Sequence, residues 1–155
     1  KNKEDFRLIL GGSGPEEKMV KKMVADFGLE KYVELSGWVN KARLFAYHKQ
    51  ADIFIQADWM VFGTSISLLY AMAFGLPSIL PGGGGLEWVA GDCAIYFKNR
   101  DPDDLARKIE QLGSDYSLRA QLSHNCFLRL AAEDLNYEKQ IGKLYEGMRR
   151  IAATI

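Results

Sequence analysis

Glycine and hydroxyl residues cluster in two short stretches that could hold an anion. Gly12-Ser13-Gly14-Pro15 lies between an apolar run and a helical pattern, and Gly63-Thr64-Ser65-Ile66-Ser67 opens a second helical pattern. Backbone N–H groups and the helix dipole make such turns suitable for a phosphate. A tight turn is the structural alternative for the first stretch, and helix capping is the alternative for the second. The second stretch carries three hydroxyls, more than one cap needs, which favours a ligand role there.

The first stretch differs from the two common phosphate-binding fingerprints. The third glycine of the dinucleotide motif would fall at Glu17, and no Gly-Lys-Ser/Thr follows as in a P-loop. A further glycine run at 82–85 permits close backbone approach to a ligand or serves as a flexible connector. Glu87 follows it, near the start of a predicted short helix over 86–89. There it either favours the helix dipole or faces a cleft.

Residue types for nucleophilic or metal chemistry are sparse. His48 lies on the apolar side of a predicted helix and is interpreted as a core histidine, whereas His124 is expected to be exposed. Cys93 and Cys126 lack metal or redox spacing and are interpreted as reduced core thiols. No Ser/His/Asp set or metal-ligand cluster is predicted, so we expect no metal site and no bound cofactor.

Short apolar runs alternate with helical periods and must position these loops. Strands are predicted at 6–10, 32–35, 52–55, 77–80 and 94–97, and three helices are predicted after Asp101. Asn40 and Asp101 are predicted to cap the helices that follow them. The helix over 64–74 is almost wholly apolar, which predicts burial on all sides. Strands alternating with helices favour a parallel sheet with helices on both faces. Ligands bind beyond the carboxyl ends of such strands, which selects the loops 11–15, 36–40, 56–67 and 81–86.

Length and charge exclude several classes of protein. The chain has 155 residues, 48% of them hydrophobic, which is typical of one soluble domain. Lys+Arg and Asp+Glu are 20 each, so the formal net charge is zero, and a nucleic-acid partner is not expected. No apolar run approaches the length of a bilayer span, and the first residues do not form a signal peptide. We expect a cytoplasmic protein without a transmembrane segment.

Several segments occur together in one family. In chain order they are Gly12 to Pro15, Gly28-Leu29, Val33 to Val39, Ala51 to Ile55, Ser67 to Pro77, the glycine run with Glu87, and Asp101 to Ala106. Their order and spacing, from about Leu8 to Tyr145, resemble the retaining GT-B glycosyltransferases of family 4, the group 1 transferases. The resemblance implies the C-terminal, Rossmann-like α/β domain, with a helical C-terminus, which binds the nucleotide-sugar donor.

The resemblance also implies roles for individual residues. The base and ribose would lie near residues 37–40, and backbone N–H groups near Thr64, Ser65 and Ile66 would contact the diphosphate. The second signature glutamate of the family, which commonly holds the ribose hydroxyls, aligns with Tyr70. The candidate donor-binding residues are Gly12, Ser13, Gly14, Gly37, Trp38, Val39, Asn40, Gly63, Thr64, Ser65, Ile66, Tyr70 and Glu87.

Two departures from the family pattern bear on activity. Phe62 and Tyr70 occupy the positions of the two signature glutamates, so the catalytic residues stay unassigned. Asp58 is a weaker candidate for replacing a lost carboxylate. The second departure concerns domains: residues 1–155 are interpreted as a single domain that lacks its first strand-helix unit and the N-terminal acceptor domain. That acceptor domain, on the same or another chain, is an expected partner, and peripheral membrane contact through it stays open.

Three hypotheses follow from these features. The first is the donor half of a retaining glycosyltransferase, inactive by itself because one domain cannot enclose both substrates. The second is a catalytically degenerate GT-B-like binding or scaffold subunit, which the missing glutamates favour. The third is another small-molecule enzyme on the same fold, such as a nucleotide-sugar epimerase.

Overall fold

The computed structural model describes residues 6–58, 63–132 and 134–152. The chain divides into two compact units, unit 1 (residues 1–47) and unit 2 (residues 48–155). Phe62 falls between the described ranges 6–58 and 63–132 and so lies outside the described residues. The single-domain interpretation of residues 1–155 stays a prediction.

Unit 1 contains two parallel strands, β1 (Leu8–Gly11) and β2 (Val33–Gly37), joined through helix α1 (Glu17–Asp26). Helix α2 (Lys41–Gln50) begins in unit 1, and the Asn40 side chain caps it by accepting a hydrogen bond from the Arg43 amide at 2.9 Å. This hydrogen bond confirms the predicted cap. Gly28 follows α1 with a φ of 61°, as expected for a glycine that ends a helix.

Unit 2 contains a parallel sheet with the strand order β3 (Phe54–Ile55), β4 (Ser78–Pro81) and β5 (Ala94–Phe97). The central strand β4 is buried along its whole length. Helix α3 (Ile66–Ala73) connects β3 to β4, and α4 (Gly84–Ala90) followed by a 3₁₀ turn (Gly91–Cys93) connects β4 to β5. Parallel strands joined by helical crossovers confirm the predicted α/β class.

Successive residues of β4 contact different cores because side chains alternate across a strand. Leu80 packs in one core with Leu68 and Met72 of α3 and with residues of α4. Ile79 packs in a second core, which includes Leu112 of α5 (Pro102–Ser114) and Leu122 of α6 (Tyr116–Leu130). Helices therefore cover both faces of this sheet, as predicted.

Two predictions about α3 and α4 are wrong. Within α3, Met72 is 0% exposed, but Ile66 is 70% and Leu69 is 37% exposed, so the helix is buried on one side only. An apolar sequence gives no direction of burial, and here only the side facing β4, α4 and α6 is covered. The glycine run is not wholly a loop, because Gly84 and Gly85 form the first turn of α4.

The two cysteines and the two histidines lie where the sequence predicted. Cys93 and Cys126 are buried free thiols of one core, and each donates to a backbone carbonyl, Cys93 to Ala90 and Cys126 to Leu76 at 3.5 Å. His48 is buried, with its ring 5.5 Å from Phe74, and His124 is exposed.

The C-terminal helix α7 (Tyr137–Ala152) leaves large apolar side chains exposed, among them Leu144, Tyr145 and Met148. Among residues 6–58, 63–132 and 134–152, no helix is long and apolar enough to cross a bilayer.

Candidate functional site

The loop before α3 presents exposed backbone and hydroxyl groups. Gly63 and Thr64 are exposed, and helix α3 starts two residues later. Ser65 is the N-cap, because its Oγ accepts a hydrogen bond from the Leu68 amide at 3.3 Å. The Ser65 hydroxyl therefore performs the capping role that the sequence offered as the structural alternative. The first amides of α3 have no acceptor within the helix and suit an anion.

The first turn of α4 is held by its own carboxylate. Gly83 is the N-cap, with φ 96° and ψ 160°, a conformation that glycine adopts without the cost of a side chain. Its amide donates a hydrogen bond to Oε2 of Glu87, one turn further along. Glu87 thus binds the start of its own helix, where the negative charge also favours the helix dipole. This geometry favours the first of the two alternatives that the sequence left open.

The turns that begin α3 and α4 meet at their backbones. A Cβ added to Gly85 would lie 2.7 Å from the carbonyl oxygen of Gly63 and 2.9 Å from its carbonyl carbon. It would also lie 3.4 Å from the amide nitrogen of Thr64. Real Cβ atoms essentially never approach a backbone oxygen so closely, so only glycine fits at residue 85 without a shift. The structure therefore brings together two loops that the sequence selected separately.

The far end of α4 is fixed by side chains from β5 and α6. The Tyr96 hydroxyl donates to the carbonyl of Gly91 at 2.6 Å, and burial raises the pKa of Tyr96, which keeps this donor protonated. Arg129 donates to the carbonyls of Trp88 at 2.7 Å and Val89 at 2.9 Å. Asp134 accepts a hydrogen bond from Arg129 and raises the pKa of the Arg129 guanidinium. These bonds satisfy carbonyls at the end of a helix that has few turns of its own.

The structure describes only one of the two positions that align with the signature glutamates of the family. Phe62 lies outside the described residues, whereas Tyr70 is half-buried on α3, one turn after Ile66. Asp58, offered as a replacement carboxylate, accepts a hydrogen bond from Nε2 of Gln56 at 2.6 Å. No residue is assigned a catalytic role by this geometry.

Unit 1 brings its own predicted residues together at the carboxyl ends of β1 and β2. The amide of Gly12, with a φ of 124°, donates to the carbonyl of Gly37 at 2.9 Å. Ser13 and Gly14 are exposed beyond this bond, Val39 is half-buried, and Trp38 is 85% exposed. The Gly12 amide and the Asn40 side-chain oxygen thus serve local structure, whereas the Trp38 ring offers an accessible aromatic face.

Sequence reasoning missed the residues that support the loops rather than form them. The glycine run was a signal for close backbone approach, but its target at Gly63 could not be inferred from the sequence. Arg129 gave no signal, because one arginine in an amphipathic helix is ordinary. Within the described residues, no group of three or more His, Cys, Asp or Glu could hold a metal ion.

Comparison with curated proteins finds several glycosyltransferases. The chain is 29% identical over 107 residues to a phosphatidylinositol N-acetylglucosaminyltransferase subunit of Arabidopsis thaliana, covering 69% of the chain and 24% of the relative. It is 28% identical over 141 residues to an uncharacterized glycosyltransferase of Methanocaldococcus jannaschii, covering 90% of the chain and 36% of that protein. The chain therefore spans about a quarter to a third of the length of these relatives.

Solved structures share the fold. The structure of Alr3699/HepE from Anabaena in complex with UDP is similar with a TM-score of 0.72 and 16% identity, over 97% of this chain and 41% of that one. The profile of the family "Glycosyl transferases group 1" matches residues 1–128. That match includes all four loops selected from the sequence. The chain belongs to the group 1 glycosyl transferases and has the Rossmann-like α/β fold of GT-B enzymes.

Proposed function

We propose that this chain is the donor-binding part of a retaining glycosyltransferase. The reaction moves a sugar from a nucleoside diphosphate sugar to an acceptor hydroxyl and keeps the anomeric configuration. The observation that carries the proposal is the group 1 match over residues 1–128, which spans all candidate donor-binding residues from Gly12 to Glu87. Anabaena Alr3699/HepE, solved in complex with UDP, supports a uridine nucleotide as one ligand to test.

The loop before α3 is the proposed diphosphate site. The amides near Thr64, Ser65 and Ile66 precede the hydrogen-bonded turns of α3, and the exposed Thr64 hydroxyl adds a donor. Charge builds up on the leaving diphosphate as its bond to the sugar breaks. Donors held in place before the reaction stabilise that charge without reorganising.

The loop after β2 is the proposed site for the base and ribose. Gly37, with a φ of 60°, turns the chain after the strand, and the exposed Trp38 ring can stack on a base. Gly12, Ser13 and Gly14 lie on the neighbouring strand end of the same unit. Tyr70 on α3 is proposed as a separate donor contact, in which one phenol hydroxyl stands where the family's glutamate offers two oxygens.

The remaining parts of the reaction are assigned to protein outside residues 1–155. Because the chain spans 24% and 36% of two curated relatives, we propose that an N-terminal domain on the same or another chain binds the acceptor. In this proposal residues 1–155 form the C-terminal domain, and the enzyme acts in the cytoplasm.

A second function is favoured by one observation. Tyr70 and Phe62 replace both carboxylates of the family signature. A subunit that has lost catalysis and serves as a binding or scaffold partner fits that replacement. The two functions differ in whether a nucleotide-sugar site persists.

A thermal-shift titration with UDP, GDP, ADP and their sugars tests the proposed function. A ligand at about a hundred times its Kd stabilises the folded chain by about 2.7 kcal/mol, which raises the melting temperature measurably. A shift with one nucleotide and its sugars supports the donor site and identifies the base. If none of these ligands shifts the melting temperature, the result contradicts an intact site and favours the scaffold function.

A double substitution separates a weakened site from a lost one. Phe62→Glu with Tyr70→Glu restores both carboxylates and is expected to tighten donor binding by providing acceptors for sugar hydroxyls. Tyr145→Glu, an exposed tyrosine on α7, is the matched control and should leave the affinity unchanged. Unchanged or weaker donor binding in the double variant, with circular dichroism showing the fold retained, contradicts the proposal.

A further inference from the structure

We propose that Gly85 and Glu87 are positioning residues, which fix the Gly63–Ser65 loop through the first turn of α4. The structural part of this inference concerns the ligand-free chain. Its ligand part rests on the proposed function, because it treats the loop as the diphosphate site.

Close contact with the backbone of Gly63 explains why residue 85 is a glycine. It lies inside helix α4, and its φ is outside the left-handed range, so the backbone there accepts any L-residue. The atoms that a Cβ would meet first are the carbonyl oxygen and carbon of Gly63, at 2.7 and 2.9 Å. Both are backbone atoms, so no side-chain rotation relieves the contact. A methyl group at residue 85 must therefore push apart the two backbones.

The core determines which backbone moves. Leu86, Val89 and Ala90 of α4 are buried against α3 and β4, and Arg129 holds the carbonyls at the helix end. Displacing α4 would open a close-packed core, which costs free energy. Gly63 and Thr64 are exposed on their outer side and have room to move. The methyl group therefore displaces the loop.

Glu87 keeps the turn in the shape that makes this contact. Its carboxylate accepts the hydrogen bond of the Gly83 amide, and Gly83 holds a conformation with φ 96°. Without that acceptor, the amide loses its partner and the entry to α4 is less constrained. Gly84 and Gly85 follow directly, so any change in the entry is transmitted to the contact with Gly63.

The consequence for the reaction is indirect. Neither residue needs to touch the donor, since Glu87 is already bonded to Gly83 and Gly85 has no side chain. They determine where the Thr64 and Ser65 amides point, and diphosphate affinity depends on that direction. A carboxylate that contacted the sugar directly would behave differently from a positioning carboxylate when its charge is removed.

The first experiment compares two glycines in helices. In Gly85→Ala, we expect shifted amide resonances for Gly63, Thr64 and Ser65 in ¹⁵N NMR spectra of the ligand-free chain, and UDP affinity reduced about tenfold. Gly113→Ala is the matched control, because a Cβ there meets no described atom within 4 Å outside its own helix. It should leave both readouts unchanged. Unshifted loop resonances in a folded Gly85→Ala variant would overturn the inference.

The second experiment uses rescue and does not depend on Gly85→Ala folding. Glu87→Gln keeps an oxygen that can accept the Gly83 hydrogen bond, whereas Glu87→Ala removes it. We expect wild-type loop resonances and wild-type UDP affinity in the first, and loss of both in the second. Asp103→Ala, which removes an exposed first-turn carboxylate from α5, is the control. Equal loss of UDP affinity in the glutamine and alanine variants would show that the charge of Glu87 acts on the ligand. That result would overturn a positioning role.

The two readouts distinguish the two proposals. If the wild-type chain binds none of the nucleotides, the proposed function fails, while the NMR comparison still decides whether Gly85 and Glu87 position the loop. If UDP binds but the loop resonances do not respond to these substitutions, the proposed function stands and the positioning role is wrong.

Discussion

The two glycine-rich turns selected from the sequence use glycine for different reasons. Gly12 in unit 1 has a φ of 124°, and a Cβ there would meet no described atom within 4 Å. Gly85 in unit 2 has ordinary helical backbone, but a Cβ there would strike the Gly63 carbonyl. The first glycine is required by its own dihedral angle and the second by a neighbour. Of these two glycines, only Gly85 needs the absence of a side chain to keep two loops in contact.

The helices that follow the Gly12–Pro15 and Gly63–Ser67 turns differ in burial and in capping. α1 has no buried residue, and its only N-terminal cap is Glu16, which makes no side-chain cap hydrogen bond. α3 buries Leu68, Ala71 and Met72 and is capped by the Ser65 hydroxyl. A loop that must hold a ligand in a fixed geometry benefits from a rigid support. The comparison therefore favours the turn before α3 as the better-supported anion site.

The largest expected effect compares one methionine in each helix. Met72→Ala in α3 removes a side chain that is 0% exposed and should lower the free energy of unfolding by about 2–5 kcal/mol. Met23→Ala in α1 removes one that is 49% exposed and should cost less than about 1 kcal/mol. Urea denaturation of both variants measures the difference. Equal losses would contradict the contrast between the two helices.

Leu69 shows the limit of the sequence prediction for that helix. The apolar run over 64–74 predicted burial on every side, and Leu69 would then cost as much as Met72 to truncate. The structure leaves Leu69 partly exposed, so Leu69→Ala should cost less than Met72→Ala. Composition predicted the element correctly but not its covered face, because that face depends on which other elements pack against it.

Features set by neighbouring residues were predictable, and features set by distant residues were not. Asn40 and Asp101 cap their helices as predicted, because a cap bonds an amide three residues away. The first turn of α4 was predicted as a loop, because glycine disfavours helix and the packing that stabilises Gly84 and Gly85 comes from elsewhere. The candidate site divides in the same way: its loops could be predicted, but the contact between Gly63 and Gly85 could not.

The next largest effect tests whether the positive φ alone explains why residue 12 is a glycine. Gly12→Ala forces a side chain onto a φ of 124° and should destabilise the chain by about 1–3 kcal/mol. Gly14→Ala, two residues away, meets open space without a positive φ, so it should be neutral or stabilise by up to about 1 kcal/mol. Thermal unfolding of the two variants measures this. If Gly14→Ala costs as much as Gly12→Ala, a contact rather than a dihedral angle explains the turn.

The smallest effect concerns the caps themselves. Ser65→Ala removes the oxygen that accepts the Leu68 amide and should lower the free energy of unfolding by about 1 kcal/mol. Glu16→Ala in unit 1 removes no cap hydrogen bond and should change it by less than about 0.5 kcal/mol. Because α3 is also held by its buried face, Ser65→Ala should loosen only its first turn. Hydrogen exchange should therefore rise at residues 66–68 and stay unchanged at Met72 and beyond. Faster exchange along the whole helix would mean that the cap, rather than the core beneath it, supports the proposed diphosphate loop.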